Sequence, residues 1–182
     1  EEFNATISRI FSYAAWADKY DGAAHDAPYR GVTLALPEPI GIIGLLAPDH
    51  QPLLAAISLI APAIAMGNRV VYIPGDQYQN IILELVSVME TSDIPGGVIN
   101  IVTGDKNELS THLAGHGEVE SIWCWGDREL NKSVESISVE NLKRTWCHEN
   151  NDRDWLDINS GEGTEFLRKA THVKNIWTPY GD

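Results

Sequence analysis

Residues 38–76 constrain this chain more than any other stretch. Residues 40–46 (IGIIGLL) are a short apolar run between prolines, the pattern of a strand buried on both faces. After Pro48-Asp49-His50-Gln51-Pro52, apolar residues recur at Leu53, Leu54, Ile57, Ile60, Ala61 and Ile64. That spacing predicts a helix, and Gly67-Asn68 supplies a left-handed stop for it. The β-branched run 69–73 reads as a second strand, closed by Pro74-Gly75. Strand, helix and strand in so short a span make a βαβ crossover, which requires a parallel sheet.

The alternation continues to residue 147. Ile81, Ile82, Leu85, Val86 and Met89 line a helix over 79–91, followed by a strand at 98–102, a short helix at 108–115 and a strand at 119–125. A helix over 128–134 and a fifth strand at 142–147 complete a doubly wound pattern. Upstream, Phe3, Ile7, Ile10, Phe11 and Ala14 share one helical face, so the chain to Ala17 reads as an amphipathic helix. Residues 31–36 are extended and end at a proline turn, Pro37-Glu38-Pro39. From Glu149 the chain becomes polar, acidic and turn-rich, which reads as a linker over 149–163. A helical turn at 166–170 and a last strand at 173–178 follow within 164–182. The expected fold is α/β: a Rossmann-like, doubly wound parallel sheet of about five strands in residues 1–148.

Net charge decides some partners. With 26 acidic against 13 basic residues the chain carries a formal −13, which argues against nucleic acid and anionic membranes. Residues 51–68 hold no charge, but Pro52, Pro62 and the flanking strands favour a helix buried against a sheet over a membrane span. The expected location is cytoplasmic. Cys124 and Cys147 form neither a disulfide framework nor a metal motif, and both read as strand thiols. His112 and His116 are spaced i, i+4 like a zinc pair, but the glutamate of such a motif is absent, so no metal is expected. The chain starts at Glu1, without a signal peptide, and reads as a piece of a longer protein.

The runs EPIG, PLL, APAIAMGNRVV and, further on, IPGGVINIVTG resemble the cofactor-binding domain of the aldehyde dehydrogenase superfamily. The similarity runs from about Ser12 to Trp146 and resumes near the C-terminus. It is closest to the degenerate C-terminal dehydrogenase-like region of family 16. The resemblance implies that 31–36 and 173–178 form a small oligomerisation-type edge sheet, and that a whole catalytic domain is missing between the fifth strand and the last one, and with it the cysteine nucleophile. It puts His50 where the family has its oxyanion asparagine, although His50 also reads as a loop residue capping the next helix. It puts His148 at the general-base glutamate, and Asn150 and Asn151 at two glycines. For the cofactor it implies contacts at Ala47, Pro48, Asp76 and Gly126. Ile73 replaces the lysine that would hold the ribose, and Asp127 stands at the helix start that would receive pyrophosphate. No catalytic residue is expected, and NAD is expected to bind weakly or not at all.

The reading that follows is a non-catalytic, pseudoenzyme module serving assembly or stabilisation of a larger aldehyde dehydrogenase. Its partner would be a second copy or a catalytic dehydrogenase module, reached through the edge sheet. Two alternatives remain: an NAD(H)-binding sensor, and part of an active NAD-dependent oxidoreductase whose catalytic residues lie upstream.

Overall fold

The computed structural model describes residues 1–180. Five strands form a parallel sheet: β3 (Ile42–Leu46), β4 (Arg69–Ile73), β5 (Ile99–Ile101), β6 (Ser121–Gly126) and β7 (Arg144–Glu149). Their order is β5-β4-β3-β6-β7, so the winding reverses between β3 and β6. Three further strands, β1 (Ala23–His25), β2 (Gly31–Pro39) and β8 (Thr171–Pro179), make a separate antiparallel sheet in the order β1-β2-β8. Both expected sheets are therefore present.

The strands alternate as the pleat requires. On β6, Trp123 and Trp125 join one core cluster while Ile122 and Cys124 join the other. The first cluster packs under α1 (Glu2–Ala17) and α2 (Pro52–Ala65), with Leu54, Ala55, Leu59 and Ala63 fully buried. The second packs under α4 (Lys106–Gly115) and α5 (Arg128–Ser138), through Leu113, Leu130 and Val134. Between them in the chain, α3 (Gln79–Glu90) buries only Ile82 completely. Gly67 ends α2 with φ +84°, a conformation costly for any residue with a Cβ. Among the described residues no helix is long and apolar enough to cross a membrane.

Three expectations change. The prolines at 37 and 39 do not turn the chain, because β2 runs through them, pairing Pro37 with Val173 and Pro39 with Thr171. They are tolerated because β1 pairs only as far as Ala35, leaving that side of β2 open. The apolar stripe of α1 does not face the core: Phe3 is 63% and Phe11 73% exposed, while Thr6, Arg9 and Tyr13 are buried. Residues 149–163 do join β7 to the C-terminal strand, but as a packed segment and not a free tether. Trp155 is fully buried, Arg153 nearly so, and α6 (Ile158–Gly161) and α7 (Thr164–Lys169) follow directly.

Arg9 explains both of the last two findings. Its guanidinium donates to Trp155 O at 3.0 Å, to Gly161 O and to Ser58 Oγ, and pairs with Glu162 at 2.9 Å. A buried charge needs this many partners. The 149–163 segment supplies most of them, so α1 turns its arginine inward and its apolar stripe outward.

Candidate functional site

Ligands of open parallel sheets bind at the C-terminal ends of the strands where the winding reverses. Here that crevice lies between β3 and β6, bounded by the loops after Leu46, Ile73 and Gly126. The structure brings all four expected contact positions to it or its rim. Ala47 is buried and donates to Ile73 O at 2.9 Å, which ties the loop to the next strand. Pro48 is buried beside Gly75, where an added Cβ would sit 2.6 Å from Pro48 O. Asp76 is exposed, and its backbone N–H donates to Asp49 Oδ1 at 3.1 Å. Gly126 is buried, and a Cβ there would come within 2.5 Å of the Leu130 side chain.

Lys106, which the sequence reading did not single out, fills the middle of the crevice. Its ammonium donates to Ala47 O at 2.5 Å and to Trp125 O at 2.7 Å, bridging the ends of the two strands. Burial lowers its pKa, and Asp49 most strongly opposes that shift, with Cys124, Asp76 and Asp127 adding to the opposition. The signal in sequence was only a lysine opening a helix after Gly104-Asp105, which has no pattern of its own.

The helix ends that face the crevice are already satisfied by the chain. Asp127 Oδ1 accepts the Leu130 N–H at 2.8 Å, so the carboxylate caps α5. At α2 the carboxylate of Glu2 accepts from Leu53 N at 2.9 Å and Leu54 N at 3.1 Å. His50 therefore does not cap that helix; its Nε2 lies 3.2 Å from Arg153 O. Gln51 precedes α2 at φ +48° and its Oε1 accepts the Trp155 N–H at 3.2 Å. Asn150 donates to Asp49 Oδ2 at 3.2 Å. The segment after β7 thus lies down on the loop that follows β3.

Aromatic rings hold that segment in place. The Arg153 guanidinium sits 5.0 Å from the Phe166 ring, 5.4 Å from Trp146 and 5.8 Å from Trp125, and pairs with Glu165 at 3.1 Å. Cation–π contacts of this kind strengthen as water is excluded. His148 stacks on Trp125 at 5.2 Å with 20° between planes. Burial lowers its pKa, and Arg153 adds to the shift, so the environment favours the neutral ring. Cys147 packs on the opposite face, paired in register with Cys124. A hydrogen bond with Cys124, reinforced by burial, pushes the Cys147 thiol far up, so neither His148 nor the sheet makes it a thiolate. Among the described residues no group of three or more His, Cys, Asp or Glu is placed to hold a metal.

A parallel sheet reversing between β3 and β6, flanked by helices and joined to a three-stranded antiparallel sheet, defines a dinucleotide-type α/β domain with an accessory sheet. The chain belongs to the Aldehyde dehydrogenase family, whose profile matches residues 1–148. An aldehyde dehydrogenase of Vibrio cholerae is 35% identical over 137 residues, 75% of this chain and 27% of the relative. Human retinaldehyde dehydrogenase 3 is 35% identical over 144 residues, 79% of this chain and 28% of the relative. The crystal structure of betaine aldehyde dehydrogenase from Staphylococcus aureus in complex with NAD+ aligns with TM-score 0.77 and 26% identity. That alignment covers 81% of this chain and 30% of the other. The chain therefore spans less than a third of the length of these relatives.

Proposed function

We propose that this chain is a non-catalytic aldehyde-dehydrogenase-like module that serves assembly or stabilisation of a larger dehydrogenase. Within the family, the short passage from β7 to β8 through residues 150–170 favours a degenerate region of the family 16 kind. The observation that carries the reading is the self-filled crevice. Lys106 occupies the switch point, Asp127 and Glu2 satisfy the helix ends, and the 149–163 segment covers the loop that carries His50. A dinucleotide does not fit this arrangement as it stands. Its pyrophosphate would meet the Asp127 carboxylate at the α5 N-terminus, and Ile73, buried in the second core cluster, offers its ribose no donor. Two free cysteines side by side, Cys124 buried and Cys147 half-buried, suit a reducing, intracellular compartment.

The partner surface we infer is the accessory sheet. β8 pairs with β2 over nine residues and, among the described residues, leaves its other edge without a strand, with Val173 and Trp177 exposed. A long open edge of this kind suits a strand from a second copy or from a catalytic dehydrogenase module. Sedimentation velocity from micromolar to millimolar chain tests it, on the wild type and on Trp177→Glu. Trp177 stacks on Tyr29 at 5.6 Å and is 65% exposed, so the variant should fold. Concentration-dependent dimers that the variant loses are expected. A monomer throughout, alone and with a catalytic family member, would remove the assembly role.

A second reading, NAD(H) sensing, is favoured by one observation: the Lys106 ammonium puts positive charge at the switch point of a fold whose relative is solved with NAD+.

A further inference from the structure

The opposite end of the parallel sheet carries a cavity that the family reading does not use. It lies at the start of β6 and β7 and is walled by Ser121, Trp123, Arg144, Trp146, Arg168 and Lys169. Its volume is about 300 Å³. At ~30 Å³ per water that is room for on the order of ten water molecules.

Three cations converge on this cavity in a chain of formal charge −13. Among the described residues none of the three has a carboxylate within ion-pair distance, since the ion pairs involve Arg9, His148, Arg153, His172 and Lys174. Arg144 spends one N–H on Thr171 O at 3.0 Å and keeps the rest of its fork. The Lys169 ammonium rests 5.2 Å from the Trp146 ring centre, which orders it without neutralising it. Arg168 and Lys169 close α7, where the helix dipole favours cations but carries no partner for them.

Trp123, which lines the same wall, is fully buried, and the Ser121 hydroxyl is spent on Arg144 O at 3.1 Å, so the donors this wall offers to a ligand rich in acceptors are its three cationic side chains.

We propose that this cavity binds a small phosphate monoester, with its oxyanion held by Arg144, Arg168 and Lys169 and its organic part against the Trp146 side. Guanidinium forks match the phosphate oxygens, and the volume exceeds what a bare phosphate fills. No bond is made or broken, so the site is one of binding and not of reaction. It stands apart from the self-filled crevice, and its failure would leave the assembly reading intact.

The test is a titration of the whole chain with glucose 6-phosphate, inorganic phosphate and glucose, read by tryptophan fluorescence and by the indole N–H resonance of Trp123. Arg168→Ala/Lys169→Ala is the matching variant, since both side chains are exposed and their removal leaves the core alone. Saturable binding of the sugar phosphate, weakened at least tenfold in the double variant and by 0.5 M salt, with glucose silent, is the expected result. A shift of the Trp123 resonance on binding places the ligand in this cavity. No saturation by 10 mM sugar phosphate, or equal binding by the variant and by glucose, overturns the proposal. Arg144→Lys, which keeps the charge but loses the fork, should fall between the two and guards against a folding artefact.

Discussion

Replacing Trp155 by alanine tests whether residues 149–163 are part of the core or a dispensable connection. The indole is fully buried, with its ring 5.2 Å from Trp125 and 6.2 Å from Phe166. Arg153 lies 5.9 Å from it, and the backbone of residue 155 joins Gln51 to Arg9. A buried tryptophan cut to alanine costs about 3–5 kcal/mol. One term opposes that loss: the Trp155 Nε1–H is buried without a partner, and removing it returns about 1–3 kcal/mol. The net expectation is therefore about 2 kcal/mol, or roughly 4–8 °C in Tm for a domain of this size. Trp155→Phe separates the two terms, because it keeps most of the packing and deletes the orphaned donor, so it should lie within about 1 kcal/mol of wild type. Urea unfolding followed by circular dichroism reads both variants, with a single transition expected for each. A Trp155→Ala midpoint unchanged from wild type would refute the claim that this segment belongs to the folding unit.

Two further outcomes follow from the same face and its reverse. Cys124 and Cys147 should resist Ellman's reagent in the native protein at pH 8 and react fully in denaturant, because the mutual hydrogen bond and burial keep Cys147 protonated. His148 has a folded pKa below its unfolded value, so the unfolded chain takes up the proton first as pH falls. Stability should therefore drop on acidification from the ordinary histidine range down through the lowered value, and His148→Gln should lack that component in pH-dependent unfolding.

Much of the architecture was legible because it rests on local period. The βαβ core shows as apolar runs of strand length and a helical repeat, closed by Gly67 and by Pro74-Gly75. The accessory sheet was legible only through its similarity to a known family, since 31–36 and 173–178 lie far apart in the chain. What could not be read depends on distant partners. Arg9 looks like the polar face of an amphipathic helix until Trp155, Gly161 and Glu162 are known to surround it. Lys106 looks like an exposed residue of the first turn of α4 until Ala47 and Trp125 present their carbonyls to it. Residues 149–163 are polar by composition, yet two residues, Arg153 and Trp155, pin them through rings supplied by β6, β7 and α7.

The crevice itself allows a signed argument about which of its obstacles matters. Lys106 obstructs by occupying space, whereas Asp127 obstructs by charge and by capping the helix that a phosphate would need. If occupancy dominates, Lys106→Met should tighten NAD+ binding. The geometry points the other way. Lys106 is coupled to Asp49, Asp76 and Asp127, so removing the ammonium leaves three carboxylates uncompensated around the site of an anionic ligand. It also strands the carbonyls of Ala47 and Trp125. Asp127→Ser keeps an N-cap oxygen, removes a negative charge and leaves the lysine in place. Even with the screening of bulk water, one such charge about 4 Å away is worth on the order of 1 kcal/mol, or about fivefold in affinity. Calorimetric titration of the two variants should thus show NAD+ binding tightened by Asp127→Ser and weakened by Lys106→Met. Should Lys106→Met bind the more tightly, the lysine is a plug, and the charges around it are incidental.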